Sequence, residues 1–145
     1  MTIFGLERPL LNARQTLCTL LMAGALTTAA MAEAQEIAGT YVNETGRTKV
    51  KISDCNSGVC GTIVWMNQPV NDVNNPDASK RDRPVVGLQA VSMKATGPGT
   101  YAGTLYDPET GKTYSGKAKV AGNAVELSGC VLGGLICKSA TWRRD

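Results

Sequence analysis

From Ile37 onward, apolar and polar residues alternate with a period of two far more than with the 3.6-residue period of a helix, so the chain reads as a succession of half-buried strands. The pattern is plainest at Leu105–Gly116, where Asp107, Pro108 and Gly111 supply turn chemistry between two strand-prone runs. Looping out Pro108 to Gly111 pairs Leu105 with Tyr114, Gly103 with Gly116 and Tyr101 with Ala118. Thr104, Ser115, Lys117 and Lys119 then share the opposite face. A second reversal, about Ser57-Gly58, sets Ile52 against Ile63 and Val50 against Trp65. A third, about Gly133-Gly134, sets Leu127 against Ala140 and Val125 against Trp142. In all three, apolar faces coincide, which is what a correct register requires.

Ile37–Val42 supplies a first strand, and Pro84–Val91 another with Val86, Leu88 and Ala90, or their neighbours, inward. Eight strand candidates joined by short turns, with no amphipathic helix, predict an all-β fold: an antiparallel barrel of roughly eight strands or a closely related sandwich. Gly103, Gly116 and Gly129 fall inside strands, where they permit the coiling that closure of a small barrel needs. An outer-membrane barrel is disfavoured, because the strands fall short of about 9–11 residues and Lys49, Lys51, Lys117 and Lys119 occupy the outward face. The segment Asn67–Pro84 is polar and rich in turn formers. It predicts a surface loop with a helical turn near Asp77–Lys80, and loops of this length are often functional.

Before the first strand, Arg8 and Arg14 precede the apolar run Leu17–Leu26, and Ala30-Met31-Ala32 and Ala32-Glu33-Ala34 follow it. These are the parts of a signal peptide over residues 1–32, with cleavage after Ala32 or Ala34. Residues 33–145 are left as one exported domain, periplasmic or secreted. No other apolar run approaches the roughly 20 residues of a membrane-spanning helix. The 15 basic residues, less Arg8 and Arg14, exceed the 12 acidic ones, less Glu7, by about two. They are interspersed along the strands, so nothing here suits nucleic acid.

Export leaves Cys55, Cys60, Cys130 and Cys137, an even set that predicts two disulfides. Each adjacent pair is symmetric about a glycine-containing centre and reads as two cysteines facing each other across a hairpin tip. Loops this short contribute about 2 kcal/mol each. Thiolates at these spacings do not match the usual zinc knuckles.

Candidate chemistry is sparse. The chain has no histidine, which removes Ser-His and Cys-His nucleophilic sites and the commonest metal ligand. Asp107 and Glu109 are explained by the turn that holds them. Asp72, Asn74, Asn75 and Asp77 suggest calcium ligands, but Pro76 interrupts the EF-hand spacing, and turn formation accounts for them better. No catalytic residue, metal or cofactor is assigned. Trp65, Trp142, Tyr114 and Leu105 fall on the inward face and are the candidate lining of a ligand pocket. Arg81 and Arg83 would meet an anionic group at the barrel mouth. Val131, Leu132, Leu135 and Ile136 flank the Gly133-Gly134 tip, which is expected to fold over the barrel end.

The motifs Cys60–Trp65, Tyr106–Gly116 and Gly129–Leu135, with Asn75-Pro76-Asp77, Arg83-Pro84 and Thr141-Trp142, make the chain resemble a family of small exported bacterial proteins of unknown function. The resemblance, from about Gly39 to Trp142, implies a lipocalin-like barrel and no established catalytic residues. Gly39-Thr40-Tyr41 stands where lipocalins tend to show Gly-x-Trp. The function expected is non-enzymatic binding of a small, mostly apolar ligand in or at the mouth of the barrel. The alternative is an interaction or inhibitor module meeting an envelope protein through the 67–84 loop or the Gly133-Gly134 tip.

Overall fold

The computed structural model describes residues 37–56 and 58–145, so the expected signal peptide and its cleavage positions lie outside the described residues. Eight antiparallel strands run in sequence order: β1 (Gly39–Val42), β2 (Thr48–Cys55), β3 (Gly58–Met66), β4 (Gln89–Gly97), β5 (Thr100–Asp107), β6 (Lys112–Ala121), β7 (Ala124–Val131) and β8 (Ile136–Arg144). Each pairs with the next, and β8 returns to β1, closing a barrel. The β2–β3, β4–β5 and β6–β7 reversals lie at one end, called here the hairpin end. The long 67–88 loop and the β1–β2, β5–β6 and β7–β8 connections lie at the other.

Inward positions of every strand meet in one core. Tyr41, Val50, Ile52, Val59, Ile63, Val91, Met93, Tyr101, Ala118, Val125 and Leu127 are buried, and Val85 from the long loop joins them. Burial of each large side chain contributes about 1.5–3 kcal/mol before conformational entropy is set against it.

The β5–β6 register is the expected one, Leu105 opposite Tyr114 and Gly103 opposite Gly116. So is that of β7–β8, with Val125 opposite Trp142 and Cys130 opposite Cys137. The β2–β3 register is not. Cys55 pairs with Gly58 and Cys60 with Ser53, a tighter reversal than one centred on Ser57-Gly58. Both disulfides nevertheless form, Cys55–Cys60 at a Cα separation of 5.7 Å and Cys130–Cys137 at 4.1 Å.

A register slip of two residues preserves faces, so Val50 still meets an apolar partner, Ile63. The change of face comes from an irregularity just beyond, where Lys49 pairs with Trp65 and Val64 is the extra residue. One inserted residue inverts every side chain after it. Trp65 therefore stands outside the barrel, 42 % exposed, with the Lys49 ammonium 5.6 Å from its ring centre.

Strand β4 also differs from expectation. It begins at Gln89, with Val91 and Met93 inward, and residues 84–88 still belong to the loop. The loop is itself ordered: Asn71 bridges Pro84, the Asp72 amide donates to the Arg83 carbonyl, and the Val85 amide donates to the Val70 carbonyl. A 3₁₀ turn at Ala78–Lys80, capped by Asp77, forms where a helical turn was expected.

Candidate functional site

The sequence-predicted lining residues divide into three groups. Leu105 and Tyr114 are cross-strand partners facing inward near the loop end, each half-buried. Trp142, also half-buried, faces inward from β8 and packs against the core. Trp65 lies on the opposite side of the wall and lines no interior space, so a single pocket containing both tryptophans does not exist.

Arg81 and Arg83 are held by partners within the loop itself. The Arg81 Nε donates to the Asn75 carbonyl. Arg83 directs Nε and one terminal nitrogen at Asp72 Oδ2, at 3.0 and 2.9 Å. The Gly133-Gly134 tip does not fold over the barrel end: Leu132, Leu135 and Ile136 are 69, 86 and 58 % exposed. The short hairpin carries them past the reach of the core.

An open space does exist at the hairpin end. A cavity of about 420 Å³ lies beneath the β2–β3 reversal, lined by Asp54, Cys55, Asn56, Val59, Ala95 and Tyr101. Asp54, Val59, Ala95 and Tyr101 are at inward positions of four successive strands, β2 to β5, so this space is the mouth of the barrel itself. Its floor is the sealed core and its rim is polar. The volume falls within the roughly 300–1,000 Å³ range of small-molecule sites. Sequence reasoning missed it because its lining comes from strand ends far apart in the chain, Asp54–Val59 on one side and Ala95 and Tyr101 on the other.

The most organised polar cluster is built on Asp72, whose side chain is fully buried. Tyr106, facing outward from β5, donates its hydroxyl to Asp72 Oδ1 at 2.5 Å, and Asn75 Nδ2 donates to Oδ2 at 2.8 Å. With Arg83, this gives the carboxylate a donor on each side. Burial pushes the Asp72 carboxyl up, but the hydrogen bonds from Tyr106, Asn75 and Arg83 and the Arg83 charge outweigh it. The group titrates below the usual carboxylate range. Burial and the Asp72 carboxylate together raise the Tyr106 phenol.

Asn75 Oδ1 accepts from the Asp77 amide at 2.9 Å, and Asn74 Nδ2 donates to the Glu109 carbonyl at 2.8 Å. These contacts fasten the long loop to β5 and to the β5–β6 turn. They also consume the oxygens that calcium would need: Asp72 serves Arg83, Asn75 and Tyr106, and Asp77 caps Ser79. Among the described residues, no group of three or more His, Cys, Asp or Glu could hold a metal ion. The readable signal for this network was the pairing of an acidic loop start with Arg83 near its end.

The barrel geometry can now be set beside known proteins. Residues 39–144 match the model of a family described as "Uncharacterized protein conserved in bacteria (DUF2147)". The chain belongs to that family. A solved structure, "Protein HP1028 from the human pathogen Helicobacter pylori belongs to the lipocalin family", is similar to this DUF2147 chain with a TM-score of 0.67 and 21% sequence identity. The match covers 74% of this chain and 82% of that one. At that identity the likeness concerns the fold, a lipocalin-like barrel. None of the curated proteins matches this DUF2147 member.

Proposed function

We propose that this protein is an exported, non-enzymatic carrier or sensor of a small, mostly apolar molecule, held in the mouth at the hairpin end of the barrel. The observation that carries the reading is the cavity of about 420 Å³ at that mouth, floored by Val59 and Tyr101 and rimmed by Asp54 and Asn56. The ligand's apolar body would lie on the floor, and its polar group would face the rim. Two disulfides are in keeping with export, and the lipocalin-like fold of the barrel supports the binding role.

The neutral probe N-phenyl-1-naphthylamine tests this. Its emission should rise saturably with protein, and Ala95→Trp, at an exposed position of the lining, should fill the mouth and abolish the rise. Trp142→Phe should leave it intact. Loss of binding in Trp142→Phe, with Ala95→Trp unaffected, would place the ligand inside the bore against Trp142 and overturn the assignment.

A second reading, a contact for an envelope protein through the β7–β8 tip, is favoured by the free-standing Leu132, Leu135 and Ile136. A Leu132→Ser/Leu135→Ser variant that still co-purifies with every partner of the native protein from detergent-solubilised envelopes removes it.

A further inference from the structure

The 67–88 loop does more than cross the end of the barrel. It leans over the outer wall of β4, β5 and β6, and a pocket of about 390 Å³ lies between the loop and the wall. We infer that this pocket is a second binding site, separate from the barrel mouth, and that it takes a neutral polyhydroxylated ligand, a short saccharide in chemical class.

The floor carries the first argument. Gln89, Ser92, Thr104 and Thr113 line it, from three adjacent strands. Ser92 lies directly across from Thr104, and Tyr106 directly across from Thr113. Neighbouring strands are about 4.8 Å apart, so these side chains form a grid on the scale of one sugar ring. Hydroxyl and amide groups both donate and accept, as sugar hydroxyls do. None of those four side chains has a hydrogen-bond partner among the described residues, whereas those of the Asp72 network just behind them are engaged.

Charge carries the second. Lys80, which also lines the pocket, sits 3.7 Å from Asp77, and Arg83 is paired with Asp72. Each cation at the pocket has an acidic neighbour, which disfavours phosphates and carboxylates and leaves a neutral ligand as the better match. Pro76 and Ala90 add the small apolar surface on which the C–H face of a sugar ring rests.

Rigidity carries the third. The roof is fixed by the buried Asp72 cluster and by Asn74 on the Glu109 carbonyl, so the site exists before the ligand arrives and binding need not order a loop.

The test is a ¹⁵N–¹H titration of the protein with chitobiose and with maltose. Saturable shifts confined to residues 75–92 and 104–113 are expected with at least one of them. Thr104→Val/Thr113→Val, which keeps β-branched shape on an exposed face, should weaken that binding about tenfold. Ala95→Trp should bind the sugar as the native protein does, which separates this site from the mouth. The absence of saturable shifts with both sugars into the tens of millimolar overturns the proposal, as do shifts gathered around Tyr101. Displacement of the sugar by equimolar inorganic phosphate overturns the neutral class.

Discussion

Asp72 shows how one side chain can fix a surface loop. A buried carboxylate is costly unless its lone pairs are met by donors, and here Tyr106, Asn75 and Arg83 meet them. Asp72→Asn keeps the shape but replaces an acceptor with an amide that cannot receive all three, and it strips Arg83 of its counter-charge. A loss of about 2 kcal/mol at neutral pH is expected. The pH dependence gives a sharper check. Because the folded carboxyl titrates below its ordinary value, the unfolded chain takes up protons first as pH falls. The contribution of Asp72 is thus complete only above about pH 5, a unit above the ordinary carboxyl value, and is lost as pH falls toward the folded-state value. Urea midpoints measured from neutral pH to about pH 2.5 should fall less steeply for Asp72→Asn than for the native protein. Parallel curves would show that the cluster does not stabilise the fold.

At the level of strands and turns, the reversals at Pro108–Gly111 and Gly133-Gly134 were legible because turn chemistry, apolar faces and, for the second, cysteine symmetry all agreed. The β2–β3 reversal offered two registers that preserve the same faces, and no local signal marks Val64 as an extra residue. Trp65 was misplaced for that reason alone. Large side chains are not inward by rule, and Trp65 exchanges burial for a contact with Lys49. The mouth and the outer pocket were illegible for a related cause: both are made by segments far apart in the chain.

Gly111 marks one such meeting. Its φ is +67°, and a Cβ there would lie 1.8 Å from the Asn74 carbonyl oxygen, in the docked loop. Gly122, at φ +61°, has nothing within 4 Å of that position. Gly122→Ala should therefore cost only the backbone strain, about 1 kcal/mol, whereas Gly111→Ala should cost about twice that or more. Amide exchange at Asp72 and Asn75 should accelerate in Gly111→Ala alone. Equal costs at the two sites would mean that loop docking contributes nothing measurable.

For the barrel as a whole, the weakest join is the last to form in sequence order. Strand β1 spans only Gly39–Val42 and meets β8 through two residue pairs, Tyr41 with Arg144 and Val42 with Arg143. Side chains reinforce this short seam. Arg144 donates to the Ala38 carbonyl at 2.7 Å and to the Tyr41 hydroxyl at 2.9 Å, and its guanidinium lies 5.0 Å from the centre of the Tyr41 ring. Tyr41 in turn donates to the Ile37 carbonyl, and Lys49 pairs with Asp145. Tyr41 thus supplies a polar tip through which the first strand is tied to the last. Arg144→Met keeps the length and apolar stem but removes two charge-assisted hydrogen bonds and the cation–π contact, and a loss of about 2–3 kcal/mol should follow. Tyr41→Phe should cost less, because the ring stays buried. The double variant should cost less than the sum of the two, since both act on one contact. Amide exchange should show β1 and the lower part of β8 opening at free energies well below global unfolding in Arg144→Met, while β4–β6 stay protected. Uniform loss of protection across all eight strands would mean that the barrel opens only as a single unit and that the seam is not its point of release.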